Sequence, residues 1–295
     1  MGRYESFYAC RQMKMTTSAN FICINCGLQH GTGPVTPPGC PNCGDERESM
    51  SHKPQRWTTL AEMQGRYRNI FTPLGDGVTG IVTTPAFGIG PEVFLIQTSE
   101  GKVLWDCLAY LDQATVDEID RLGGLSAIVI SHPHMFGSVA EWSRALGDVP
   151  VLIHQDNKPW APPPLTDAIV HWWPGEGLEI NSRLKVIRCG GHFPGSSILY
   201  WPEGAAGKGA LFTGDTILPV EDRRWVSFMY SYPNLIPLSK RTVENIVASI
   251  VPLEFDRIYG GPMYGSGGGR PIIMTGAKEI VLKSAERYVR HLSTP

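Results

Sequence analysis

Four metal-ligating side chains stand just past the ends of short apolar runs, and a chain built this way has few ways to fold. Ala127-Ile128-Val129-Ile130 leads into Ser131-His132-Pro133-His134. The run from Leu184 to Cys189 leads into Gly190-Gly191-His192, and Ala210-Leu211-Phe212 leads into Thr213-Gly214-Asp215. Short apolar runs bounded by glycine and proline read as buried strands. Residues at strand ends of a sheet-based fold converge on one cleft even when far apart in the chain. Three neutral imidazoles and one carboxylate suit a borderline divalent ion such as Zn2+ or Fe2+.

The remaining pattern supplies the layers. "EVFLIQTSEGKVLWDC" predicts two strands around the turn Ser99-Glu100-Gly101-Lys102, and "PVLIH" and "SSILYWP" predict further strands. "ATVDEIDRLGG" predicts a short helix ending at glycine, and "SVAEWSRALGD" a helix with Val139, Trp142 and Leu146 on one face. Late helices are expected at "SKRTVENIVASIV" and "AKEIVLKSAERYVRHL". Strands alternating with helices imply a layered α/β protein, and 295 residues fit one large domain with a small appendage.

That appendage is marked by cysteine. Cys23, Cys26, Cys40 and Cys43 form two C-x-x-C pairs, each followed by glycine (Gly27 and Gly44), which permits the positive φ of a knuckle turn. Two knuckles place four thiolates around one ion, a zinc ribbon or rubredoxin-like unit over residues 20–48, with structural Zn2+ preferred to redox iron. Cys10, Cys107 and Cys189 are scattered, so the count reads as a metal site in a reducing, cytoplasmic compartment. A charged linker over 45–56 then joins the unit to a main domain over 57–295. A net charge of −2 with interspersed signs argues against nucleic acid or membrane partners, and no apolar run has the length of a membrane span. The expected partner is a small molecule with an apolar portion, and a homo-oligomeric state is left open.

The order strand–HxH, "GHFPGSS", then "FTGD" resembles the metallo-β-lactamase fold superfamily from about Trp57 onward, and "GKVLWDC", ending near Asp106, is similar to its early hairpin. The resemblance implies an αββα sandwich with a metal cleft along one edge of the two sheets. It also implies that His132, His134 and His192 are ligands, with Asp215 a ligand or general base. The family motif HxHxDH reads here His132-Pro133-His134-Met135-Phe136-Gly137, so its acidic and final histidine positions carry no ligand. The family's late histidine is also absent from "RIYGGPMYG". One ion, zinc or iron, is therefore expected in the cleft.

The expected substrate contacts are Met135 and Phe136 beside the cleft, Arg223, Arg224, Trp225, Tyr230 and Tyr232 from "EDRRWVSFMYSYPNLIP", and Tyr264. His154 and His171 are candidates for pocket lining, and "GSGGGRP" lacks the features of a phosphate loop and reads as a plain loop. The functional expectation is a metallo-hydrolase of an ester, thioester or lactone using a mononuclear metal-bound hydroxide. The alternatives are a mononuclear Fe(II) oxygenase resembling persulfide dioxygenases, or a lyase-like or non-catalytic metal-binding descendant.

Overall fold

The computed structural model describes residues 20–48, 54–260 and 272–293, and period-two alternation along the strands sorts side chains into three layered cores, with a smaller fourth cluster at Ile22, Met63, Phe87, Ala109 and Tyr110. The first sheet runs in chain order: β1 (Arg68–Gly75), β2 (Val78–Thr84), β3 (Glu92–Thr98), β4 (Gly101–Trp105), β5 (Ala127–Ile130), β6 (Val151–His154) and β7 (Val170–Trp173). Pairs up to β3–β4 are antiparallel, and those from β4–β5 onward are parallel. Parallel neighbours need a crossover. α1 (Gln113–Arg121), capped by the Asp112 side chain, lies between β4 and β5, and α2 (Val139–Ala145) lies between β5 and β6.

The second sheet is β8 (Gly177–Glu179), β9 (Lys185–Arg188), β10 (Ser197–Trp201), β11 (Ala210–Gly214), β12 (Arg257–Gly260) and β13 (Ile272–Ile273). Only β11–β12 is parallel here, and α3 (Lys240–Ile250) lies between them, with α4 (Ala277–Leu292) after β13. On β3, Phe94 and Ile96 face the second sheet, while Val93 and Leu95 face Val116, Ile119 and Trp142 of α1 and α2. On β11, Phe212 packs between the sheets, its ring stacked on Tyr259 at 4.5 Å, and Leu211 faces Val243, Ile246 and Val281 of α3 and α4. The layers are therefore α, β, β, α, as the family resemblance implied and within the layered α/β class that the strand and helix pattern gave. Every strand and helix expected above is present. The β3–β4 turn is tighter than expected, since Gly101 and Lys102 already pair with Thr98 and Gln97. Among the described residues no helix is long and apolar enough to cross a membrane.

The cysteine unit is fused to the first sheet's outer core. Cys23, Cys26, Cys40 and Cys43 are buried in the same cluster as Leu108, Phe136 and Val139, and Ile22–Cys23 pairs with Trp57–Thr58. The Gln29 amide donates to the Gly137 carbonyl (2.9 Å), and the Asn42 side chain donates to the Pro133 carbonyl (3.0 Å). Gly27 takes the expected positive φ of 86°, but Gly44 is not among the positive-φ residues. After Cys43 the chain simply continues in turns, with Asp45 N bonded to Asn42 O and Glu48 N to Asp45 O. The linker expectation is corrected at 45–48, which packs onto the sandwich. Residues 49–53 lie outside the described residues.

Candidate metal centre

Three loops at one end of the strands build the site. β5 continues in extended form through His132, and Pro133 then opens a short 3-10 turn to Met135 that carries His134. The turn is braced from beneath by Asp106, fully buried beyond β4, whose carboxylate accepts the Ser131 amide at 2.8 Å. His192 stands on the turn after β9 and Asp215 just past β11. All four side chains are buried.

Hydrogen bonds choose the atom each ring presents. The His132 Nδ1 lies 2.8 Å from Ser131 Oγ, and the His192 Nδ1 lies 2.8 Å from the Tyr230 carbonyl, which fixes that nitrogen as the protonated one. Both Nε2 atoms are thereby left facing the cleft. His134 turns its Nδ1 inward, 3.3 Å from His192 Nε2. His132 Nε2 and His192 Nε2 lie 3.5 and 3.9 Å from Asp215 Oδ2. The four donors fall within 4.8 Å of one another. Ligands about 2.0–2.2 Å from one tetrahedral ion would stand about 3.3–3.6 Å apart, so the set fits a single ion. His132 Nε2 is buried with no hydrogen-bond partner, as a metal-binding nitrogen would be. Burial and the neighbouring imidazoles hold His134 well below the usual histidine range, and burial and His132 lower His192 to about 4. Neutral rings are the form that binds a metal.

The cysteine cluster passes the same test. The thiols of Cys23 and Cys43 are 3.6 Å apart and those of Cys26 and Cys40 are 3.5 Å apart. A tetrahedral Zn–S site implies about 3.8 Å. Asn25 and Gln55 donate to the Cys43 and Cys23 sulfurs, as partners of thiolates do.

The expected substrate contacts fare differently. Met135 and Phe136 are almost fully buried and pack in the outer core beside the cysteines. Gly137, at the motif's last histidine position, has φ 50°, and a Cβ there would lie 2.6 Å from the Leu108 carbonyl oxygen. No side chain fits that position, so the turn itself excludes a ligand. Arg223 and Arg224 are exposed, Arg224 is paired with Asp222 of its own loop, and Trp225 lies under Arg287 of α4. Tyr230 and Tyr232 do adjoin the centre. Tyr232 donates to the Asp215 carbonyl (2.8 Å), its ring 5.7 Å from that of His192. Tyr264 and the "GSGGGRP" loop lie outside the described residues. His154 is structural, bonded to the Gly175 carbonyl and packed on Trp173, while His171 is exposed on β7.

Sequence reasoning missed Arg47 and Glu48. The Arg47 guanidinium lies 4.4 and 4.5 Å from the ring centres of Phe193 and Tyr230, and its Nε donates to the His192 carbonyl at 2.7 Å. Glu48 Oε1 lies 3.4 Å from His134 Nδ1. Both residues sit in a charged, aperiodic stretch with no local signal of function.

An αββα sandwich with a three-histidine, one-carboxylate cleft at its strand ends defines a class of metal-binding protein. The chain belongs to the metallo-beta-lactamase superfamily, whose family pattern matches residues 89–261 and so includes all four cleft donors. Bacillus subtilis (strain 168) has a relative, YmaE, described as an uncharacterized protein, that is 42% identical over 276 residues, 93% of this chain and 97% of that one. Among solved structures, the mono-zinc form of the FIM-1 metallo-beta-lactamase from Pseudomonas aeruginosa superposes with a TM-score of 0.54 at 19% identity, covering 75% of this chain and 96% of that one. The Flv1 flavodiiron core from Synechocystis sp. PCC6803 gives 0.51 at 14% identity, over 76% and 61%.

Proposed function

We propose that the chain is a metal-dependent hydrolase of a small ester, thioester or lactone, working with one ion in the cleft and a structural zinc at the cysteines. The observation that carries the reading is the one-ion donor set of His132 Nε2, His134 Nδ1, His192 Nε2 and Asp215 Oδ2. A divalent ion held there supplies a Lewis acid and brings the pKa of a coordinated water toward about 7.

The chain's own groups do the rest by position. Ser131 and the Tyr230 carbonyl lock the His132 and His192 rings so that their lone pairs converge. Phe193 packs edge-on against His134 and His192, with ring centres 4.8 and 5.0 Å away, and keeps water from the rear of the site. Tyr232 holds the backbone of Asp215, which keeps its carboxylate on the donor ring as a ligand or a proton acceptor.

Metal analysis of protein purified without added metals, together with a screen of thioester, lactone and aryl-ester substrates, tests the reading. Two zinc per chain and a chelator-sensitive esterase activity are expected. One zinc plus one iron, with O2 uptake on thiols or persulfides and no hydrolysis, would replace it with the mononuclear oxygenase, which the nitrogen-and-carboxylate set also suits.

A further inference from the structure

We propose that Arg47 is a positioning residue for His192: from the cysteine unit it fixes both the backbone and the ring of a donor that the sandwich supplies, and so sets how tightly the cleft ion is held. This rests on the one-ion reading of the cleft. His192 needs an anchor because its own turn is loose. The two residues before it are Gly190 and Gly191, at φ 68° and 91°, and glycine has the least restrained backbone of any residue. A donor on such a turn keeps its place only if packing and hydrogen bonds from outside the turn hold it.

Arg47 closes a ring of contacts around that donor. Its Nε donates to the His192 carbonyl at 2.7 Å, the length of a charge-assisted bond. The His192 Nδ1 is bonded to the Tyr230 carbonyl at 2.8 Å. Tyr230 and Ser231 lead back to Arg47: the Tyr230 ring centre lies 4.5 Å from the guanidinium, and Ser231 Oγ donates to the Arg47 carbonyl at 2.7 Å. The backbone and the imidazole of His192 are thus both tied to one residue 145 positions away, and neither shifts without straining the other tie. Phe193 and Trp160 complete the seat, with ring centres 4.4 and 5.5 Å from the guanidinium. A cation beside a site for a divalent ion would repel that ion, but the Asp45 carboxylate, which accepts from Arg47 Nη1 through both oxygens, offsets the charge. What Arg47 contributes is therefore geometry. Groups placed just behind a ligand in this way change metal affinity about 10–100-fold.

The test is chelator competition for Co2+ in the cleft of protein whose cysteine site retains zinc, with the visible cobalt bands recorded alongside. Arg47→Met keeps an apolar stem against the rings but loses the hydrogen bond to His192. Its cleft affinity should fall about 10–100-fold, and its bands should move. Arg47→Lys keeps the charge without the planar guanidinium, and it should recover less than half of that fall on a logarithmic scale. Arg257→Ala controls for stability alone. It breaks the pair with Asp76 at the start of β12, beside Ala210 at the start of β11 and so at the far end of that strand from Asp215. It should lower the unfolding midpoint and leave the cleft affinity and bands as in wild type. Wild-type affinity and bands in Arg47→Met, or an equal fall in Arg257→Ala, would overturn the proposal while leaving the one-ion cleft intact. If Arg47→Met does not fold, wild-type affinity and bands in Arg47→Lys would overturn it in the same way. Failure of wild type to bind Co2+ in the cleft, or an affinity indifferent to His192→Ala, would overturn both readings.

Discussion

Arg47→Ala removes the clasp between the cysteine unit and the histidine turns. The arginine gives His192 a charge-assisted hydrogen bond of 2.7 Å, a type worth about 1.5–3 kcal/mol. Its guanidinium also lies within 4.5 Å of two ring centres, contacts worth about 0.5–2 kcal/mol each when water is excluded. Its Nη1 donates to both Asp45 carboxylate oxygens, at 2.8 and 2.9 Å, with both side chains about nine-tenths buried. Asp45 still accepts from Trp160 Nε1 in the variant, so its carboxylate is not stranded. Contacts that share one side chain do not add, and the net loss should be about 2–4 kcal/mol. The measurement is denaturant unfolding of the metal-loaded protein, comparing midpoints at equal slope. Arg47→Lys retains the charge but not the planar fork, and it should recover less than half of the loss. A loss below about 0.5 kcal/mol for Arg47→Ala, the size of an ordinary surface substitution, would show that the clasp is not formed in solution.

His192→Ala should abolish turnover with the fold retained, since one of three nitrogen donors is lost; full activity in protein without the cleft metal would place catalysis elsewhere. Replacing both Cys23 and Cys26 with Ser should remove one zinc per chain and raise hydrogen exchange over 20–48. Because Asn42 reaches the Pro133 carbonyl, the cleft ion should loosen as well, and metal analysis showing both ions retained refutes the assignment. Arg224→Ala should leave kcat/KM and the unfolding midpoint unchanged, because its ion pair with Asp222 is exposed; a several-fold rise in KM would put that loop at the substrate. Gly137→His restores the family histidine in sequence only. With the Leu108 and Cys107 carbonyl oxygens 2.6 and 2.7 Å from the added Cβ, it should destabilise the fold and bind no second ion, as thermal unfolding and metal counting would show.

The layers and the donor set were legible in the sequence because both are local patterns. Apolar runs alternate their facing within four to eight residues, C-x-x-C turns pre-arrange thiols, and a proline after His132 forces the turn that carries His134. Met135 and Phe136 show where local reading stops: adjacency to the ligands suggested a pocket wall, yet the 3-10 turn rotates both into the core shared with the cysteines. Arg47 and Glu48 mark the same limit from the other side. Their segment has no period, no cap and no apolar face, so nothing in it encodes a partner. Its place is set by bonds such as Asn234 to Glu48, spanning 186 positions, and Arg47 to His192, spanning 145. Contacts of that separation exist only once both sheets have closed, since loop-closure entropy must be overcome before any of them forms.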